Sequence, residues 1–268
     1  DGLFGKKLLG LALTFYSYVC RKDSIDDFSS ADEKIRSNTH RALTVLGLIC
    51  QEHPDSLDSS TWGDEVESQD EDILPASELT WSTLTLACYR IFSKFLQKRD
   101  YATKCAALRA LGGIFVAQPR LMLKLEQIGL IADVMSDTTH ASVQLESLQC
   151  WRNILLAEEK RVDDGHAKAK MDADQNITVS KRISGDQDGD ATLFGGVLTN
   201  HAPRLFEMTQ SQDRRIRFAA LDLLGLLLRQ GLVNPNEAVA FLMALQGDVD
   251  NSHIRSLALR LLTTEGEK

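Results

Sequence analysis

Aromatic residues make up only 6 % of this chain, and proline occurs five times in 268 residues. A chain so poor in aromatics and so rich in Leu and Ala is a weak candidate for β-architecture and a good one for helices. No two cysteines stand in a C-x-x-C pair. Cys20, Cys50, Cys88, Cys105 and Cys150 are spread singly through apolar helical patterns, which suits buried free thiols in a reducing compartment and not a disulfide framework or zinc ribbon. The six histidines (40, 53, 140, 166, 201 and 253) are scattered; Cys50 and His53 stand three apart, but no further His or Cys joins them at helical spacing, so a helix-borne metal site is left two ligands short. There is no P-loop, no G-x-S-x-G and no G-x-G-x-x-G after a strand. The expectation is therefore a chain that is not an enzyme and needs no cofactor.

Long apolar runs are missing too. The best one, Leu8 to Val19, is interrupted by Gly10, Thr14 and Ser17 and is too short to span a bilayer. With no signal peptide, the chain reads as soluble and intracellular. It opens on Asp1 instead of Met, as a piece of a longer chain or a processed product would. Asp186-Gln-Asp188-Gly-Asp190 imitates the start of an EF-hand loop, but Ala191 replaces the required Gly and Val197 the closing Glu. Asn176-Ile-Thr178 matches a glycosylation acceptor that an intracellular chain would not use. Lys181-Arg182-Ile-Ser184 could attract a basophilic kinase, although chance explains it as well.

What is present is charge, segregated by sign. Residues 54–80 hold nine acidic residues and no Lys or Arg; removing those nine charges from the net −8 leaves about +1. The rest of the chain is near neutral, which leaves room for local basic patches. The acidic stretch has almost no periodicity, with Trp62 and Ile73-Leu74 as its only anchors, and reads as a disordered loop.

Apolar spacing places helices at about 3–21, 30–51, 78–98, 101–117, from Pro119 onward with Gly129 a possible break, from Ala141 past Trp151 into a charged extension, and at about 191–209, 213–229, 235–246 and 251–263. The segments are 1–53 (helix pairs), 54–80 (acidic loop), 81–171 (helices), 172–190 (polar Gly/Asp-rich loop) and 191–268 (C-terminal helices). At 230–237 the turn is spelled out. Gly231 offers positive φ, Leu232 an apolar cap contact, Asn234 an N-cap and Pro235 a first helical residue, with Glu237 at capping-box spacing.

The chain repeats itself. Asp100 to Gly112 and Asp213 to Gly225 share D-x-x-x-[KR]-x-A-A-L-x-x-L-G without a gap. Ala42-Leu43-Thr-Val-Leu46-Gly47 is a weaker copy, and Asp250 to Leu262 has the same character. Recurrence at tens of residues marks a solenoid. Small Ala and Gly residues let helices approach closely, with Gly112-Gly113 read in the same way. Leu at three- and four-residue spacing fills the groove between helices. The Asp suits a helix start, and the following Lys or Arg can reach an Asp of its own or the next repeat. This signature resembles the second helix of HEAT repeats. The fold class is all-α, an α-solenoid of stacked antiparallel helix pairs, in which Leu108 and Leu221 belong to the core.

Two charged features could bind a partner. Arg90, Lys94 and Lys98 recur every four residues with Arg99 adjacent, a stripe suited to a row of phosphates or to an acidic helix. A solvated face balanced by the acidic stretch fits the same residues. Arg214, Arg215 and Arg217 open a later helix; Arg217 is assigned to structure by the repeat, leaving Arg214 and Arg215 as candidates.

The phrases around the repeats are more specific. Ile216-Arg217-x-x-Ala220-Leu221 leading to Gln230-Gly231-Leu232-x-x-Pro235 resembles the C-terminal region of the Nipped-B family of cohesin loading factors. Lys104-x-x-Ala107-Leu108-x-x-Leu111-Gly112-x-x-Phe115 leading to Pro119-x-Leu121-Met122 does so too. The likeness covers about 90–260. It implies a hook-shaped HEAT solenoid in the nucleus, on chromatin, that engages cohesin's head and kleisin subunits and duplex DNA. It implies stimulation of ATP hydrolysis by the cohesin heads without hydrolysis of its own. The family's partner protein binds a far N-terminal region and is not expected here. The matched residues are architectural, and no DNA- or cohesin-contacting residue transfers by motif. The competing reading is a HEAT scaffold of another assembly, such as a transport receptor or a phosphatase-type subunit.

Overall fold

A computed structural model describes residues 2–53, 84–118, 140–174 and 201–267. These residues form helices and their connections, with no strand among them. The acidic 54–80 stretch, the Pro119–Gly129 helix, the EF-hand-like Asp186–Asp190, Asn176–Thr178 and Lys181–Ser184 all lie outside them, as does the polar loop beyond Asp174. The chain divides into two compact units, 1–121 and 122–268. No helix among the described residues is long and apolar enough to cross a membrane.

The first unit contains α1 (Gly2–Lys22), α2 (Glu33–Glu52), α3 (Leu84–Leu96) and α4 (Tyr101–Ala117). Asp100 starts α4 as the repeat implies: its carboxylate accepts from the Thr103 amide at 2.8 Å and from the Thr103 hydroxyl at 2.6 Å. With only residues 97–100 between them, α3 and α4 form an antiparallel hairpin. The broadest packing in the unit is α2 against α4. It is close because small residues meet at the crossing. A Cβ on Gly47 would sit 2.6 Å from the Ala110 Cα, and one on Gly113 would sit 2.5 Å from the Gly47 carbonyl oxygen. Around this crossing Leu43, Leu46, Ala107, Leu108, Leu111 and Ile114 are all buried. The α1–α2 connection is held down by Phe28, fully buried, whose ring meets Phe95 of α3 at 5.8 Å.

The second unit contains α5 (Ala141–Asp174), α6 (201–208), α7 (Arg214–Arg229), α8 (Pro235–Gln246) and α9 (Ser252–Gly266). Helix α7 packs against both α5 and α9, and α8 packs against α9. Phe206 of α6 stacks on Phe241 of α8, ring centroids 4.8 Å apart. The α7–α8 turn is closed as its residues dictate. Gly231 has φ of 70°, the Leu232 amide reaches back to Leu227 O at 2.9 Å, and the Gly231 amide reaches Leu228 O at 3.2 Å. Asn234 then caps α8 through the Asn236 amide at 3.0 Å, and Pro235 is its first residue. The cap bond falls on Asn236 and not on Glu237, so the cap is one-sided where the spacing suggested a reciprocal box.

The structure also joins the repeats. Asp213 caps α7 through the Arg215 amide at 2.9 Å, and Asn251 takes the same place in α9 through the His253 amide at 2.9 Å. From these caps, Ile216, Ala220, Leu221 and Leu224 of α7 correspond to Ile254, Ala258, Leu259 and Leu262 of α9. Helix α5 has the same register: His140 before the helix, then Val143, Ser147, Leu148 and Trp151, all four buried. Arg217 ties one repeat to the next. Its guanidinium reaches Asp248 at 2.7 Å and Asp250 at 3.2 Å, and it donates to the carbonyls of Ser211 and Gln212 at 2.9 and 3.0 Å. The Arg217 and Asp248 side chains are only 11 % and 4 % exposed. Burial alone would raise the Asp248 pKa, but Arg217 and the amides of Asn251 and Asp250 outweigh it and hold the carboxyl below the usual range.

Candidate functional site

The stripe of four cations is divided by the end of α3. Arg90 and Lys94 lie on the helix, whereas Lys98 and Arg99 follow its last residue, Leu96, because the chain turns there: the amides of Gln97 and Lys98 bond back to Lys94 and Phe95 carbonyls. Arg90 and Arg99 are exposed. Lys94 is exposed as well and makes a 3.4 Å ion pair with Asp23, of the kind that contributes little at a surface. Lys98 is different. Its side chain is 10 % exposed, its Nζ lies 3.3 Å from an Asp23 carboxylate oxygen and 3.8 Å from Asp26, and it donates to the Asp23 carbonyl. It also stands 5.7 Å over the Phe95 ring. Lys98 therefore anchors the α1–α2 connection beside Phe28. The Arg99 amide bonds to the Asp26 carbonyl at 3.4 Å. Asp27 is held below the usual carboxylate range by the Ser29 hydroxyl and amide, with a smaller contribution from the Arg99 charge. The four residues are thus brought to one region of the first unit, but Lys98 is committed to structure there. Its acidic partners are seventy residues away in sequence, so helical spacing alone could not reveal the commitment.

In the second unit Arg214 is exposed at the first turn of α7. Arg215 folds back on the cap residue, with two nitrogens 2.8 and 3.2 Å from the two Asp213 carboxylate oxygens. That pair, with the cap amide, lowers the Asp213 pKa. Arg215 thus pairs with the N-cap residue while remaining exposed, and Arg214 beside it is exposed as well.

Two surface features were not singled out by sequence spacing. One is a shallow concavity of about 370 Å³ on α2, with Arg36, Ser37, His40, Arg41 and Thr44 in its wall. His40 bonds to the Thr103 hydroxyl at 2.8 Å. Burial lowers its pKa from the ordinary histidine value, against the opposing pull of Asp100 and with help from Arg36 and Arg109. The other is a groove of about 600 Å³ between α7 and α9.

No disulfide joins the five cysteines; a hydrogen bond with Cys50 and burial push Cys88 well above its usual pKa, and burial pushes Cys150 up to about 12. Among the described residues no three His, Cys, Asp or Glu side chains are placed to hold a metal.

Capped helix pairs in register and an inter-repeat arginine clamp define a helical-repeat protein of the HEAT type. The family described as the sister chromatid cohesion C-terminus of Nipped-B matches residues 194–268. The Nipped-B-like protein of Homo sapiens is 23 % identical over 209 residues, covering 78 % of this chain and 7 % of that protein. Nipped-B-like protein A of Danio rerio is 24 % identical over 160 residues, covering 58 % of this chain and 6 % of its own length. The crystal structure of an engineered protein superposes with a TM-score of 0.47 at 14 % identity, covering 100 % of this chain and 92 % of that one. The family match and these relatives show a similarity to the C-terminal region of the Nipped-B family, strongest over the last four helices of the chain. It spans less than a tenth of the length of the relatives it matches.

Proposed function

We propose that this chain is a non-catalytic HEAT-repeat scaffold of a cohesin loader, acting in the nucleus on chromatin. It engages cohesin, through the head and kleisin subunits, and duplex DNA, and so promotes cohesin loading and sister chromatid cohesion. The observation that carries the reading is the family match over 194–268, which covers α6 to α9 and the Arg217 clamp. DNA contact is weak and local: Arg90 and Arg99, with Lys94 beside them, form the open part of the first unit's basic face, and Arg214 adds a cation in the second unit.

The test combines the purified chain with cohesin's head and kleisin subunits, and separately with duplex DNA across a salt series. We expect co-elution with the cohesin subunits. DNA affinity should fall as salt rises, with a slope reduced by about 0.9 for each phosphate contact removed. Replacing Arg90, Lys94 and Arg99 together by Ala should flatten that slope. Lys98 stays unaltered in this variant, because its loss would loosen the α1–α2 connection. Failure to bind cohesin would turn the reading toward a scaffold of another assembly. A slope unchanged by the triple substitution would remove the first unit's basic face from the DNA interface.

A further inference from the structure

The groove between α7 and α9 lies along equivalent outward positions of two successive repeats. Counting from the caps, Phe218 corresponds to Ser256 and Asp222 to Arg260. A bulky ring on one helix is therefore matched by a hydroxymethyl on the next, and the space left beside the ring is the groove. Phe218 and Leu257 line it together with Asp222, His253, Ser256 and Arg260, and most of the surface it exposes is apolar. Phe218 is 41 % exposed, unusual for a phenylalanine within an otherwise well-packed helix. Asp222 is already ion-paired with Arg152 of α5. Arg214 stands one helical turn before Phe218 on the same face, and both it and Arg260 are exposed. The uncompensated charge around the apolar wall is therefore positive.

We propose that this groove is a docking site for an acidic peptide segment of a partner protein, carrying one bulky apolar side chain. The apolar side chain lies against Phe218 and Leu257, and flanking carboxylates meet Arg260 and Arg214. About 600 Å³ holds a large side chain with its neighbouring backbone. A nucleic acid fits less well: two arginines give too few phosphate contacts, whereas the apolar wall suits a side chain and Asp222 leaves a peptide amide a hydrogen-bond acceptor. The inference rests on the scaffold reading but not on cohesin being the partner.

The probe is a fluorescein-labelled synthetic peptide with a central Phe-Leu pair flanked by glutamates, titrated with the full chain by anisotropy. The controls are the same peptide with lysines for glutamates, one with Ser-Ser for Phe-Leu, and labelled duplex DNA. We expect the acidic apolar peptide to bind and both altered peptides to bind at least about tenfold more weakly. Phe218→Ser and Arg260→Glu should each weaken binding by about tenfold with the helical circular dichroism retained in both, and Arg260→Glu, at an exposed side chain, should leave thermal melting unchanged. No binding of the acidic peptide, equal binding of the lysine peptide, or affinity unaltered in both variants would overturn the proposal. DNA binding lost in Arg260→Glu would reassign the groove to phosphate. Self-association lost in Phe218→Ser would reassign it to a second copy. Since the cohesin co-elution assay does not depend on this peptide, failure here is distinguishable from failure of the scaffold reading.

Discussion

Replacing Gly113 by Ala is the sharpest test of how the first unit is held together. In an isolated helix the change is favourable by roughly 0.5–1 kcal/mol, because Ala loses less backbone freedom on folding. Here the new Cβ would lie 2.5 Å from the Gly47 carbonyl oxygen and 3.1 Å from its carbon. An ordinary carbon–oxygen contact is about 3.3 Å or more. The α2–α4 crossing must therefore open by roughly 0.8 Å along that line, a gap that forfeits about a quarter to a half of each dispersion contact it spans. The clash is backbone against helix, so no rotamer change relieves it. Overpacking of this kind costs about 1–3 kcal/mol, and we place Gly113→Ala near the upper end, for a net loss of about 2 kcal/mol after the helix gain. Two other glycines serve as controls. Gly10, on an exposed face of α1, has no atom within 4 Å of its added Cβ, so Gly10→Ala should gain about 0.5–1 kcal/mol. Gly225 would meet only the flexible end of Leu261, at 3.1 Å, so Gly225→Ala should change stability by less than about 0.5 kcal/mol. Urea unfolding followed by far-ultraviolet circular dichroism ranks the three variants. A Gly113→Ala protein as stable as the parent, or Gly10→Ala and Gly113→Ala shifting in the same direction, would refute the reasoning.

The same measurement extends to the repeat core. Leu108→Ala and Leu221→Ala remove side chains that are 3 % and 0 % exposed and should each cost about 2–5 kcal/mol; a loss below about 1 kcal/mol at both would show that neither is core. Arg217→Ala leaves the Asp248 carboxylate without its cation. Because that pair lies under the α8–α9 connection and not in the deepest core, the expected cost is about 1–3 kcal/mol, read as a lower urea midpoint. Asp248 also makes a pH prediction. Its folded pKa lies below the ordinary 3.8, so its stabilising contribution is present above that value and is lost as pH falls through the lowered folded value. Asp248→Asn should therefore be less stable than the parent at pH 6, with the difference shrinking as the pH drops below about 4. A difference that persists unchanged at pH 2 would show that the carboxylate's charge is not what holds the connection.

The local architecture was legible in the residues themselves. The starts of α4, α7 and α8 and the Gly231 turn follow from Asp100, Asp213, Asn234-Pro235 and Gly231, because capping, positive φ and apolar periodicity act within one helical turn. The copy in α5 was less legible, since Ser147 and Trp151 stand where the clear copies have Ala and Leu, and only shared burial reveals the register. The binding candidates divide in the same way. Spacing found Arg90, Lys94, Lys98, Arg99, Arg214 and Arg215, but whether each cation faces solvent or an internal carboxylate depends on what folds against it. Asp23 claims Lys98 in a largely buried pair; Arg215 pairs with its own cap residue Asp213 yet stays exposed, as do Arg90 and Arg214.

Leu221 and Leu259 show where the division falls. They hold the same place in the same repeat phrase, yet Leu221 is fully buried and Leu259 is 55 % exposed. Helix α7 packs on both α5 and α9, and the broadest packing of α9 is against α8. From the sequence came helices, caps, turns and the repeat, all set by interactions between residues a few positions apart. The tertiary structure decided which faces are covered, which charges are neutralised and where grooves open, because those depend on partners brought close only by the packing of distant helices.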